Sequence, residues 1–239
     1  MQKISFPSNK ATVAGNLFLP QDVSKPPGIL LLYGGGRHVT KELFADFQNE
    51  LGLIGIVSLA IDFPGDGESS GEFSEGSLSM RLEYAKAAYK ELLRYANPEK
   101  IAVYGGSMGG YIAARLVELF PQTKVLLLIA GAAYAKEAED VPLNEEFTKI
   151  LTTENSWKNS VSFDAVQNFQ GNILVVYGEN DTVIPKEIQN TYHALIKNRG
   201  KFVVIPEGSH RLFTPTTPGE AEAKEKTFQE LLNYIKENL

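Results

Sequence analysis

Six short, unbroken apolar runs recur along this chain, with helix-patterned stretches between them, and they restrict its fold more than any other feature. They are Ile29–Tyr33, Ile56–Phe63, Ile101–Tyr104, Val125–Ala130, Ile173–Tyr177 and Phe202–Ile205. A strand apolar on both faces must be covered on both, which a helix-flanked parallel sheet provides. Between the runs, Ser74–Ala96 carries Leu78, Leu82, Ala85, Tyr89, Leu92 and Leu93 at helical spacing. Gly110–Phe120, Pro185–Asn198 and Pro218–Leu239 also read as helices. At the start, Ile4–Phe6 and Thr12–Leu19 flank Pro7–Lys10 as an antiparallel hairpin. The order predicts an α/β fold with a doubly wound, mostly parallel sheet of about eight strands. Residues 1–239 read as one domain. Within it, Ala132–Gly171 is longer than one crossover helix needs and is predicted as a small helical cap insertion over the carboxyl edge of the sheet. Its aromatics, Trp157 and Phe163 among them, are expected either to line a substrate pocket or to pack the insertion onto the domain.

Composition removes several chemistries. The chain has no cysteine, so thiol nucleophiles, disulfides and Cys-ligated metals are excluded. Its 23 Lys plus Arg against 29 Asp plus Glu give a net charge of −6, with no basic cluster to track a phosphate backbone. No H-E-x-x-H or close His/carboxylate cluster occurs, so neither metal nor other cofactor is expected, and no complete nucleotide-binding fingerprint is present. The first ten residues lack a signal-type apolar region. The longest apolar stretch, Val125–Ala135, is too short to span a bilayer. A cytoplasmic protein without a membrane span is expected, with a small-molecule rather than a nucleic-acid partner.

Chemistry concentrates in Ile101–Gly110, IAVYGGSMGG, where a strand enters G-x-S-x-G and then a helix. That setting lifts the Ser107 hydroxyl above the sheet edge; as a bland alternative, Ser107 simply caps the helix. A serine needs a base, and the base needs an orienting acid. Of the three histidines, His193 lies within a helix and His38 in a loop. His210 follows the run Phe202–Ile205 through Pro206-Glu207-Gly208-Ser209, at the same sheet edge as Ser107. Asp181 follows Ile173–Tyr177, with Glu179 as the other candidate acid. The order Ser107, Asp181, His210 points to acyl transfer. For the oxyanion, the Met108 amide and one of Gly34–Gly36 are the candidate donors.

Together, LLLYGGG, DFPGDGESSGEF, YGGSMGGYIAA, YGENDTVIP and PEGSH resemble the α/β-hydrolase superfamily over nearly the whole chain. The likeness is to its compact branch of dienelactone hydrolases, cinnamoyl esterases, acyl-CoA thioesterases and serine-peptidase-like enzymes. By position in that family's pattern, Gly35 is the second oxyanion donor, with Gly36 next. The resemblance implies a carboxylesterase-like serine hydrolase for a small or medium ester. A thioesterase or aminopeptidase using the same groups is the alternative, and a non-catalytic binding protein is the alternative from another class. Two departures stand out: Tyr33-Gly34 where the family commonly has His-Gly, and Gly65-Asp66-Gly67 where it commonly has Gly-His-Gly.

Overall fold

The computed structural model describes residues 1–239 apart from 9–10, 22 and 37–38. Its eight strands form one sheet: β1 (Gln2–Ser8), β2 (Ala11–Phe18), β3 (Gly28–Leu32), β4 (Val57–Ile61), β5 (Ile101–Gly106), β6 (Val125–Ile129), β7 (Asn172–Gly178) and β8 (Gly200–Ile205). Their spatial order is β1-β2-β4-β3-β5-β6-β7-β8. β1 and β2 form the expected antiparallel hairpin, from Gln2 opposite Leu17 to Ser8 opposite Ala11, and β2 meets β4 antiparallel. All later pairings are parallel. Every residue of β3, β4 and β6 is buried, as two-sided coverage requires.

Among the described residues there are seven helices: α1 (Ala45–Leu53), α2 (Leu78–Leu92), α3 (Met108–Leu119), α4 (Glu145–Thr152), α5 (Val161–Asn168), α6 (Lys186–Ile196) and α7 (Pro218–Asn238). α1 packs with α7, while α2, α3, α5 and α6 pack side by side in sequence order. Local chemistry sets several ends. The Ser77 hydroxyl accepts the Met80 amide at 3.2 Å, so α2 is shorter than its periodic stretch. Thr217 caps α7 with Pro218 in the first turn. α1 has no counterpart among the predicted helices, because ADFQNELGL buries only Phe47, Gln48 and Leu51 and presents no long apolar stripe.

The segment 132–171 divides in two. α5 packs between α3 and α6 as the crossover helix from β6 to β7. The part before it holds α4 and short 3₁₀ turns at Lys136–Ala138 and Ser156–Asn159. That part is tied to the entry of α2, where the Leu143 amide donates to the Gly76 carbonyl at 2.8 Å and Ser79 to the Glu139 carbonyl at 2.9 Å. No helix among the described residues is long and apolar enough to cross a membrane.

Candidate active site

The chain leaves β5 through Ser107 at φ 51°, ψ −119°, and α3 begins at the next residue, two residues earlier than predicted. A positive φ on a non-glycine residue costs on the order of 1–3 kcal/mol and persists only where its surroundings enforce it. Here the Ser107 amide donates to the Ile129 carbonyl at 2.9 Å, and its carbonyl accepts from Gly110 and Ala132 at 2.9 and 3.1 Å. Gly109 makes the turn possible: a Cβ there would lie 2.3 Å from the Leu32 carbonyl oxygen. The Ser107 hydroxyl makes no capping bond to α3. It meets His210 Nε2 at 3.1 Å instead, so the helix-cap alternative for this serine is not what the structure contains.

His210 Nδ1 lies 3.0 Å from Asp181 Oδ2. The other Asp181 oxygen accepts the Val183 and Ile184 amides at 2.9 and 3.0 Å, just before α6. Turn-forming and histidine-facing readings of this aspartate are therefore both true, one for each oxygen. Burial pushes its carboxyl up, but the hydrogen bonds from His210 and the two amides outweigh that and hold it below the usual carboxylate range. A carboxylate with a depressed folded value contributes stability above its unfolded value, which is lost as pH falls through the folded one. The stability difference between the protein and Asp181→Asn should therefore close as pH falls through and below the ordinary carboxylate range. Denaturant unfolding at successive pH values measures it; a gap that stays constant would show that no proton is linked to this contact.

An aromatic cluster holds the two halves of this hydrogen-bonded chain together. Tyr104, three residues before Ser107, packs edge-on to Phe213, three residues after His210, at 5.3 Å between centroids. Phe213 also meets Phe44, Phe47 and Phe228 at 4.9–5.7 Å. Such pairs contribute roughly 0.5–1.5 kcal/mol each beyond their area, enough to fix the loop that carries His210.

Other predicted residues fall as follows. Gly35 abuts Met108, and the backbone amides of both find no acceptor in the described backbone. Glu179 accepts the Glu207 amide at 3.1 Å and does not reach His210. His193 is exposed on α6 and stacks on Phe202 at 4.4 Å. His38 lies outside the described residues. Among these, no group of three His, Cys, Asp or Glu side chains is placed to hold a metal ion.

A cavity of about 90 Å³ opens beside Ser107, lined chiefly by Leu43, Phe44, Tyr104, Ile129, Leu212 and Phe213. No residue of 132–171 lines it, which corrects the pocket-lining expectation for Trp157 and Phe163. Phe163 packs edge-on to Tyr192 of α6 at 5.0 Å, and Trp157 packs on Phe163 at 6.1 Å. Phe163 faces α6 because α5 is a crossover helix whose apolar side turns to its neighbours, and Trp157, in the 3₁₀ turn before it, covers Phe163. The walls that sequence reasoning missed come from the segments after β3 and β8, whose apolar residues carry no motif.

The two departures noted at Tyr33 and Asp66 meet each other. The Tyr33 hydroxyl donates to Asp66 Oδ2 at 3.3 Å and accepts the Phe63 amide at 2.9 Å. Burial, and then the Asp66 charge, push the phenol far above its ordinary value, so it stays a proton donor. Arg81 of α2 donates to the same Asp66 oxygen at 3.2 Å.

The eight-stranded, mostly parallel sheet with a strand-to-helix turn at Ser107 defines the α/β-hydrolase fold. More narrowly, residues 46–239 match the prolyl oligopeptidase family (Peptidase_S9), and the chain belongs to it. Curated relatives include a probable chloroplastic glutamyl endopeptidase of Oryza sativa subsp. japonica, 25% identical over 60% of this chain and 16% of that protein. Hydrolyase poxO of Penicillium oxalicum is 27% identical over 47% of this chain and 29% of its own. The chain thus spans less than a third of the length of these relatives. Among solved structures, Est1E from Butyrivibrio proteoclasticus with ferulic acid bound superposes with a TM-score of 0.72 at 18% identity, covering 97% of this chain and 98% of its own. The α/β hydrolase GrgF from Penicillium sp. sh18 gives 0.76 at 16% identity, covering 99% and 98%.

Proposed function

We propose that the protein cleaves small carboxylic esters through an acyl-enzyme, and the Ser107–His210–Asp181 hydrogen-bonded chain is the observation that carries this reading. His210 Nε2 takes the hydroxyl proton as Ser107 Oγ bonds to the ester carbonyl carbon, and the carbonyl oxygen becomes an oxyanion facing the amides of Gly35 and Met108. As the intermediate collapses, the bond to the leaving oxygen breaks and His210 returns the proton to it. Water, deprotonated by His210, then attacks the acyl-serine, and Ser107 leaves with that proton as the acid is released. Asp181 holds the imidazole with Nδ1–H towards it and Nε2 towards the serine. A binding protein would have no need of a strained serine joined to a base and an acid.

The size of the cavity supports a small acyl group. The match to the prolyl oligopeptidase family, and the relative described as a glutamyl endopeptidase, favour a second reading in which the same groups open an amide. A side-by-side panel of nitrophenyl esters, acyl-CoA thioesters and aminoacyl amides separates these. Short-chain esters are expected to show the highest kcat/KM; a clear preference for amides would establish the peptidase reading instead. Leu212 lines the cavity and is nearly fully buried. Leu212→Ala should shift the preferred ester towards longer acyl chains, changing the ratio of kcat/KM values by on the order of tenfold. An unchanged chain-length profile would mean that the acyl group binds elsewhere.

A further inference from the structure

Three glycines in a row, Gly34–Gly36, follow β3, and a run with no side chains has little rigidity of its own. Yet stabilising an oxyanion depends on donors already aimed before the charge appears. The loop sits where aim matters, since a Cβ on Gly34 would lie 2.8 Å from Ser107 Cβ. Something outside the loop must hold it.

The only side chain among the described residues that bonds to this loop is Arg81. Its Nη1 donates to the Gly34 carbonyl oxygen at 3.3 Å, while Nη2 donates to Asp66 Oδ2 at 3.2 Å. The guanidinium is buried and lies over the rings of Phe63 and Phe73, at 4.5 and 5.4 Å. Tyr33, the residue before Gly34, completes the ring of contacts through its own bond to Asp66. An ion pair alone does not account for an arginine here, because buried pairs are often replaceable by apolar residues at no loss of stability. A planar fork that reaches a carboxylate with one arm and a backbone carbonyl with the other does account for it, and lysine cannot supply that geometry.

The Gly34 carbonyl and the Gly35 N–H belong to one peptide plane, and in a trans peptide they point in opposite directions. Holding the carbonyl on the α2 side therefore turns the N–H the other way. We propose that Arg81 is a positioning residue for acyl transfer: by anchoring the Gly34 carbonyl, it aims the Gly35 N–H at the oxygen that gains charge when Ser107 attacks. This inference rests on the acyl-transfer reading above.

The test compares wild type, Arg81→Lys, Arg81→Ala and Asp66→Asn on a short-chain nitrophenyl ester. It also follows fluorophosphonate labelling of Ser107, whose phosphoryl oxygen takes the oxyanion's place. With kcat expressed per titrated active site, both Arg81 variants should lose about 10–100-fold in kcat while KM stays within about threefold. Labelling should slow in parallel, and Asp66→Asn, which keeps the arginine, should lose less. Guanidinium ion should restore part of the Arg81→Ala activity and none in wild type. If both Arg81 variants merely melt earlier, with wild-type kcat per titrated site and wild-type labelling rates, Arg81 has no positioning role. Should Arg81→Ala not fold, Arg81→Lys decides by the same two rates. Wild type that forms no adduct at Ser107 would instead overturn the hydrolase reading itself.

Discussion

Replacing Ser107 or His210 with alanine is expected to lower kcat by roughly four to six orders of magnitude in each case. The hydroxyl lies 3.1 Å from His210 Nε2, and on the acyl-transfer reading neither group has a substitute: without the base the hydroxyl keeps its proton, and without the hydroxyl the base has nothing to activate. Because the two act as a unit, the double variant should be scarcely slower than either single one. His193→Ala should leave turnover unchanged, since its ring is spent on Phe202. Steady-state kinetics at known protein concentration measures all four proteins. Activity surviving in His210→Ala would show that another group serves as base, and multiplicative losses in the double variant would show that Ser107 and His210 act separately.

The second large effect concerns stability. Lys41 is fully buried, and its ammonium lies 2.6 Å from the buried Asp62 carboxylate and 2.7 Å from Glu68. Asp62 also accepts the amides of Lys41 and Glu68, at 2.7 and 2.9 Å. Burial pulls the ammonium down, but hydrogen bonds to the two carboxylates outweigh it and hold it above the ordinary lysine value. Lys41→Met leaves the Asp62 charge buried without its cation, which costs about 3–5 kcal/mol. In a protein of this length, that lowers Tm by roughly 6–20 °C. Adding Asp62→Asn removes the stranded charge and should recover part of the loss. Thermal unfolding of the two variants checks this; a single variant that melts within a degree or two of wild type would mean that water or a neighbour already compensates the carboxylate.

What could be read from the chain alone follows physical locality. The serine turn was legible because strand, turn and helix occupy ten consecutive residues whose glycines are required by close backbone contact at Gly109. Asp181 and His210 were legible because each follows an apolar run, and parallel strands deliver such residues to one edge. Arg81 was not, since its link to Gly34 spans 47 positions and no pattern in α2 marks the side that meets the loop. Trp157 and Phe163 misled for a related reason: aromatic content shows that a segment is buried without showing against what. Leu212 and Phe213 escaped notice because a cavity wall carries no signature that a packed core lacks.

The distance along the chain between Ser107 and His210 bears on how the protein is made. Ser107 and His210 stand 103 positions apart, on the exits of β5 and β8, and β6 and β7 lie between those strands in the sheet. On the acyl-transfer reading, a ribosome that has released β5 and α3 has exposed the serine but not yet synthesised its base. The serine's hydrogen bond to His210 needs β8 in the row and Phe213 seated beside Tyr104. On that reading, reactivity and completion of the sheet arrive together, and a half-made chain would not acylate itself.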